Sequence, residues 1–168
     1  RPYLQGIADQ FHVTATLWLR IHGERVILME LADSGSAIRV HMSIGQRLPM
    51  FIAAFGRSMA ASMNLSDHDL YEKFVLLRWE NAPSFEAYLQ DVRQCHADGF
   101  AIDRGCYARG VTTIASAILD DLKRPVMAIS AVGLSAQLTE PDIAEIAAVI
   151  QSQSSAISSA ISGQRFAI

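Results

Sequence analysis

Two cysteines, Cys95 and Cys106, are the only thiols in 168 residues, so neither a disulfide framework nor a four-cysteine zinc site can be built from this chain. No run approaches the ~18 consecutive apolar residues of a membrane-spanning helix. The opening Arg1-Pro2-Tyr3-Leu4 holds neither an initiator Met nor the apolar core of a signal peptide. These absences predict a soluble domain from a reducing, cytoplasmic compartment, cut from a longer polypeptide. Basic charge is also scarce. Fourteen Lys and Arg against seventeen Asp and Glu leave a net charge of −3. The longest basic cluster, Lys123-Arg124, shares a turn with Asp120 and Asp121. The chain therefore lacks the electrostatic footprint of a nucleic-acid-binding face. What it has in quantity is apolar residues, 51% against 18% charged. That is enough to bury one core, and it excludes wholesale disorder. The length fits one domain, with no repeat and no long linker.

Catalytic and metal-binding patterns are missing as well. There is no G-x-S-x-G turn and no phosphate-binding G-x-x-x-x-G-K. His12, His22, His41, His68 and His96 do not recur at metal-ligand spacing. Cys95 and His96 are adjacent, but helical neighbours diverge by about 100° and do not face each other. Cys95 reads as a buried small hydrophobe. Cys106 sits in a glycine-rich loop between Arg104 and Arg109. The expectation is no enzyme, no metal and no cofactor. A softer constellation remains: Asp103 at a strand end, Thr113 on the next strand, and Ser130 inside the apolar run 126–132. A hydroxyl buried there needs a hydrogen-bond partner, either the backbone, a water or a small polar ligand.

Periodicity gives the order of elements. Residues 2–11 read as a helix with Pro2 in its first turn. Residues 13–21 alternate in period two, which predicts a half-buried strand. After the turn at 22–24, residues 25–31 complete a hairpin. Residues 37–42 read as a third strand and 45–49 as a loop. Residues 50–63 have helical propensity. Ser66-x-x-Asp69 and Ser84 mark helix starts, Gly99 a helix end, and Thr139-x-x-Asp142 the start of the last helix. Residues 100–103, 111–119 and 125–132 read as three more strands. Short connections predict an antiparallel sheet, and runs of strands and of helices predict an α+β fold.

Three stretches carry a resemblance. Residues 45–61 (Gly45-Gln46-Arg47-Leu48-Pro49, then an Ala-rich helix) resemble a glycine–basic–leucine–proline entry. Gly99-Phe100-Ala101-Ile102-Asp103 with Arg109-Gly110-Val111-Thr112-Thr113-Ile114-Ala115 resembles a strand pair. Ala128-Ile129-Ser130-Ala131-Val132-Gly133 through Thr139 resembles a final strand and helix cap. In this order and spacing, over essentially the whole chain, they resemble the C-terminal effector-binding domain of IclR-type transcription regulators.

The resemblance implies a GAF-like or profilin-like fold: a curved antiparallel sheet of about six strands with helices on one side. It implies a single effector-binding domain over 1–168, with the family's N-terminal winged helix-turn-helix absent from this chain. DNA would be bound only through that missing domain, and no membrane is involved. The partners would be a small-molecule effector, commonly a carboxylate or aromatic acid, and further copies of the chain in a homodimer or homotetramer. By position, Asp103, Val111, Thr113 and Ser130 match pocket residues, Ala54 and Phe55 match backbone donors at a helix start, and Val40 and Leu48 match apolar walls. Three positions depart from the family: Arg104-Gly105-Cys106-Tyr107 replaces an acidic run, Val132 replaces a serine of some members, and Phe55 replaces a small residue. The alternatives are a GAF- or PAS-like sensor of another signalling protein, a small hydrolase or isomerase using Asp103 with Ser130 or Cys106, and a ligand-free dimerisation module using the Ser/Ala-rich face 152–162.

Overall fold

The computed structural model describes residues 2–164; Arg1 and residues 165–168 lie outside it. Helix α1 (Pro2–Phe11) leads into the hairpin of β1 (Thr14–Ile21) and β2 (Arg25–Ala32), followed by the short β3 (Arg47–Pro49). Three helices come next, α2 (Ala53–Ala61), α3 (Asp67–Phe74) and α4 (Phe85–Asp98). Then follow β4 (Ala101–Arg104), β5 (Val111–Leu119), β6 (Pro125–Leu134), a 3-10 turn and the long α5 (Glu140–Gln164). One six-stranded sheet has the order β3-β2-β1-β6-β5-β4, and every pairing is antiparallel. The α+β class and the curled sheet stand as expected. Among the described residues, no helix is long and apolar enough to cross a membrane.

The helix starts read from the sequence are present as hydrogen bonds. Ser66 Oγ accepts from the Asp69 amide, and Ser84 Oγ from the Ala87 amide, both at 3.1 Å. Thr139 and Asp142 form a reciprocal capping box, at 3.2 and 3.0 Å. Gly99 ends α4 at φ 83°, a left-handed conformation that suits glycine.

Two expectations about strands are corrected. Residues 37–42 form no strand; the third strand lies in the stretch read as a loop, pairing Arg47 with Ile27 and Pro49 with Arg25. Proline is tolerated there because the strand is short and at the sheet edge. The alternating Ile38, Val40 and Met42 are used otherwise: Val40 and Met42 face a cavity, while Ile38 is exposed. The second correction concerns β1, which is buried on both faces because a core packs on each side of the sheet. Thr14, Thr16 and Trp18, on its apparently polar face, are all buried.

That double burial reflects two cores, where the family resemblance implied helices on one side only. Ile114, Ile118, Ile129 and Ala131 pack with Leu4 and Ile7 of α1 and with Ile143, Ile146 and Ile150 of α5. On the opposite pleat face, Trp18, Ala115 and Ala128 pack with Phe55 and Met59 of α2 and with Tyr88 and Val92 of α4. A bulge between Leu17 and Trp18 lets Val26 and Leu28 join this second core, while Ala32 joins the first.

Strand β4 covers only part of β5. It pairs with Thr112 to Ala115, and α5 serves the uncovered end. Ser154 hydrogen-bonds Ser116 at 2.5 Å, and Ser158 Oγ accepts the Leu119 amide at 2.9 Å.

The entry to α2 is unusually tight. Ala53 adopts φ 58°, and the chain folds back over Gly56. A Cβ on Gly56 would lie 2.0 Å from the carbonyl carbon of Phe51. Because backbone rather than a flexible side chain fills the space, Gly56→Ala should cost about 3 kcal/mol. In a chain of this length that lowers Tm by roughly 6–12 °C in a thermal melt. An unchanged Tm would mean the entry turn can open without loss.

Candidate functional site

The start of α2, the segment 40–42 and the turn 104–110 converge over β1, β5 and β6. They line a partly open cavity of about 120 Å³. Its walls are largely apolar: Trp18, Val40, Met42, Leu48, Ala53, Phe55, Ala108, Val111 and Val132. The polar lining comes from His41, Gln46, Tyr107, Thr113 and Ser130. Among the described residues, no Asp, Glu, Lys or Arg lines it.

The apolar wall is fixed by its neighbours. Trp18 and Phe55 stack with ring centroids 5.0 Å apart and planes 30° apart. The indole Nε1 of Trp18 donates to Thr16 Oγ1 at 3.0 Å, and Thr16 Oγ1 donates to the Ser130 carbonyl at 3.2 Å. The ring orientation is thereby tied to β6. Opposite, burial holds the Tyr107 phenol above its ordinary value.

Two polar features adjoin this largely apolar space. Thr113 Oγ1 is buried and has no hydrogen-bond partner among the described residues. An orphaned hydroxyl of this kind carries an uncompensated desolvation cost. The second feature is the start of α2, where Ala53 and Phe55 line the cavity. Ile52 at the N-cap makes no side-chain cap, and Gly56 is the residue whose amide reaches back to the Ile52 carbonyl, at 2.8 Å. The first-turn amides and the positive end of the helix dipole therefore adjoin the cavity.

The structure gathers six of the eight expected site residues in this one cavity: Val40, Leu48, Phe55, Val111, Thr113 and Ser130. The other two lie behind its walls. The Ala54 side chain is in the core beneath α2. Asp103 is 1% exposed and fully engaged. Its Oδ2 accepts from Arg57 Nη1 at 2.7 Å, and its Oδ1 accepts the amides of Cys106 at 2.9 Å and Tyr107 at 3.2 Å. Sequence reasoning missed Arg57, Trp18, Tyr107, His41, Met42 and Gln46. A signal existed for two of them: Arg57 is the one charge within a helix otherwise made of small and apolar residues, and Trp18 is a large apolar residue in the polar phase of a strand.

A nucleophilic site does not assemble. Burial pushes the Cys95 thiol up to about 12, and burial with the Asp103 charge also raises Cys106. Among the described residues, no group of three metal-ligating side chains exists.

Comparison with known proteins gives the same family as the motifs. The sequence profile of the family described as "Bacterial transcriptional regulator IclR C-terminal" matches residues 1–159. The chain belongs to the IclR family and constitutes the C-terminal regulatory domain of a transcription regulator. It is 26% identical over 147 residues to the HTH-type transcriptional repressor AllR of Klebsiella pneumoniae, covering 84% of this chain and 52% of that relative. The AllR repressor of Escherichia coli K12 matches at the same identity. The chain thus spans about half the length of these curated relatives, which are transcription regulators and not enzymes. Its fold is shared with an IclR transcriptional regulator from Alicyclobacillus acidocaldarius, at TM-score 0.82 and 20% identity over 94% of this chain and 64% of that one. It is shared equally with the Thermotoga maritima IclR, at TM-score 0.81 and 19% identity over 95% and 66%.

Thr113 gives a direct test of the cavity's polarity. Thr113→Val keeps the volume and removes the orphaned hydroxyl. The ligand-free variant should gain about 1 kcal/mol, a rise of roughly 2–4 °C in Tm. A fall in Tm would show the hydroxyl to be bonded in the folded chain.

Proposed function

We propose that this chain is the effector-binding half of a cytoplasmic IclR-type regulator, and that its cavity takes a small organic acid. The observation that carries the reading is the meeting of an unpartnered Thr113 hydroxyl with an uncapped helix start at one largely apolar cavity. An acid suits that arrangement. Its carboxylate is matched by the first-turn amides of α2, those of Ala54 and Phe55 included. Thr113 and Ser130 supply hydroxyls to a second polar atom. Val40, Leu48, Phe55 and Val111 take the carbon skeleton. Asp103 has the different task of shaping the wall that carries Tyr107.

Size narrows the class. A cavity of ~150 Å³ lined by apolar side chains holds benzene. A cavity of about 120 Å³ suits an acid of that bulk or less. In the whole protein the effector acts by population shift. It binds the arrangement that encloses it more tightly than any open one, and that difference in affinity limits how far it can bias the DNA-binding domains. Those domains are winged helix-turn-helix modules outside this chain, and the whole protein works as a homodimer or homotetramer.

A thermal-shift series with acetate, glycolate, lactate and benzoate tests the reading. A binder at ~100-fold its Kd adds about 2.7 kcal/mol, a rise of roughly 5–10 °C in Tm. The response should saturate and should be lost in Ser130→Ala, whose own melting stays close to that of the parent chain. Silence to every acid in the series, or an undiminished response in Ser130→Ala, would defeat the assignment.

A further inference from the structure

One nitrogen reaches both sides of the cavity wall from behind. Arg57 Nη1 donates to the Ala53 carbonyl at 3.0 Å and to Asp103 Oδ2 at 2.7 Å. Ala53 lines the cavity from α2. Asp103, through its other oxygen, orders the amides of Cys106 and Tyr107, and Tyr107 lines the cavity from the facing turn. Arg57 itself is 1% exposed and is absent from the cavity lining.

We propose that Arg57 is the positioning residue of the effector cavity: its guanidinium clamps the first residue of α2 to the Asp103-ordered turn, and so sets the gap between Ala53 and Tyr107. This rests on the effector-binding reading only for its consequence, the choice of ligand. The clamp itself is a property of the empty domain.

The chemistry demands an arginine. Nε reaches Asp91 at 3.0 Å while Nη1 serves two acceptors, so three acceptors in different directions share one rigid plane. The guanidinium carbon also lies over the rings of Trp79 and Tyr88, 5.3 Å from each centroid. Tyr88 in turn donates its hydroxyl to the Phe51 carbonyl at 2.8 Å, fixing the chain just before α2. A lysine places one point charge here and can serve Asp103, but not this whole set. Burial opposes the Arg57 charge, and the two aspartates more than offset it, so the group stays cationic. The left-handed Ala53, at φ 58°, needs such a restraint, because nothing intrinsic to alanine favours that conformation.

The test reads the empty domain first. Amide hydrogen exchange is followed residue by residue in the parent chain, in Arg57→Gln and in Arg57→Lys. In Arg57→Gln the amides of Cys106 and Tyr107 should exchange at least tenfold faster, with β1, β2 and α5 unchanged. Arg57→Lys should restore most of that protection, since an ammonium can still hold Asp103. Parent-like exchange at both amides in folded Arg57→Gln, or an equal acceleration throughout the domain, would overturn the proposal. If Arg57→Gln fails to fold, the half-exposed Asp91→Asn gives the reading. It weakens only the Nε contact, since the neutral amide oxygen still accepts but without the charge, and should speed the same two amides two- to threefold; no change there would overturn the proposal. The acid series is then repeated with lactate and benzoate on Arg57→Lys, where a changed ratio of their thermal shifts is expected and an unchanged ratio counts against control of ligand choice. Failure of all acids to bind the parent chain defeats the effector reading alone and leaves the exchange result to judge the clamp.

Discussion

The central strands of the sheet are covered on both faces, and most of what is distinctive in this domain follows from that constraint. Strands β1, β5 and β6 must supply apolar side chains to two cores at once, so a polar residue in them is either bonded or anomalous. Thr16 is bonded, to Trp18 and to the Ser130 carbonyl. Ser116 is bonded to Gly99 and Ser154. Thr113 is the exception, and it lies where the second core gives way to a cavity. The α1–α5 side is packed with isoleucine, whereas the α2–α4 side is irregular, aromatic and carries the charge.

A charge on the second side requires its own account. An ion pair in a core is not intrinsically stabilising, because desolvating both partners costs several kcal/mol per ion. Arg57 and Asp103, each 1% exposed, persist because each also bonds to backbone: Arg57 to the Ala53 carbonyl, Asp103 to two amides of the following turn. Asp103 therefore belongs to the architecture of a turn. A carboxylate so placed looks like a ligand-binding group in a sequence comparison, and only its partners show that it is committed elsewhere.

The legible part of the fold was local. Caps at Ser66, Ser84 and Thr139 and the left-handed Gly99 depend on a few adjacent residues, and β5 and β6 are short apolar runs bounded by turns. What depends on distant neighbours was not legible. Residues 37–42 alternate like a strand, but β2 takes its outer partner from residues 47–49, along Arg25–Ile27, and residues 40–42 go into the cavity lining instead. Trp18 was placed with the polar face of its strand because nothing nearby in sequence shows that α2 covers it. Of the site, six residues fell together because strand register and helix position place them there. Arg57 escaped notice because a lone cation on a helix ordinarily points to water.

The serines of α5 bear on a different matter, the danger posed by an open strand. Beyond Ala115 no strand among the described residues pairs with the outer side of β5, and such an edge is a template for pairing with any other extended chain. Ser158 occupies the Leu119 amide and Ser154 binds Ser116, so the edge meets hydroxyls of its own polypeptide before it meets a stranger. Part of the serine-rich composition of the last helix thus acts as an intramolecular guard against aggregation, kept in place by the same helix whose isoleucines hold the first core.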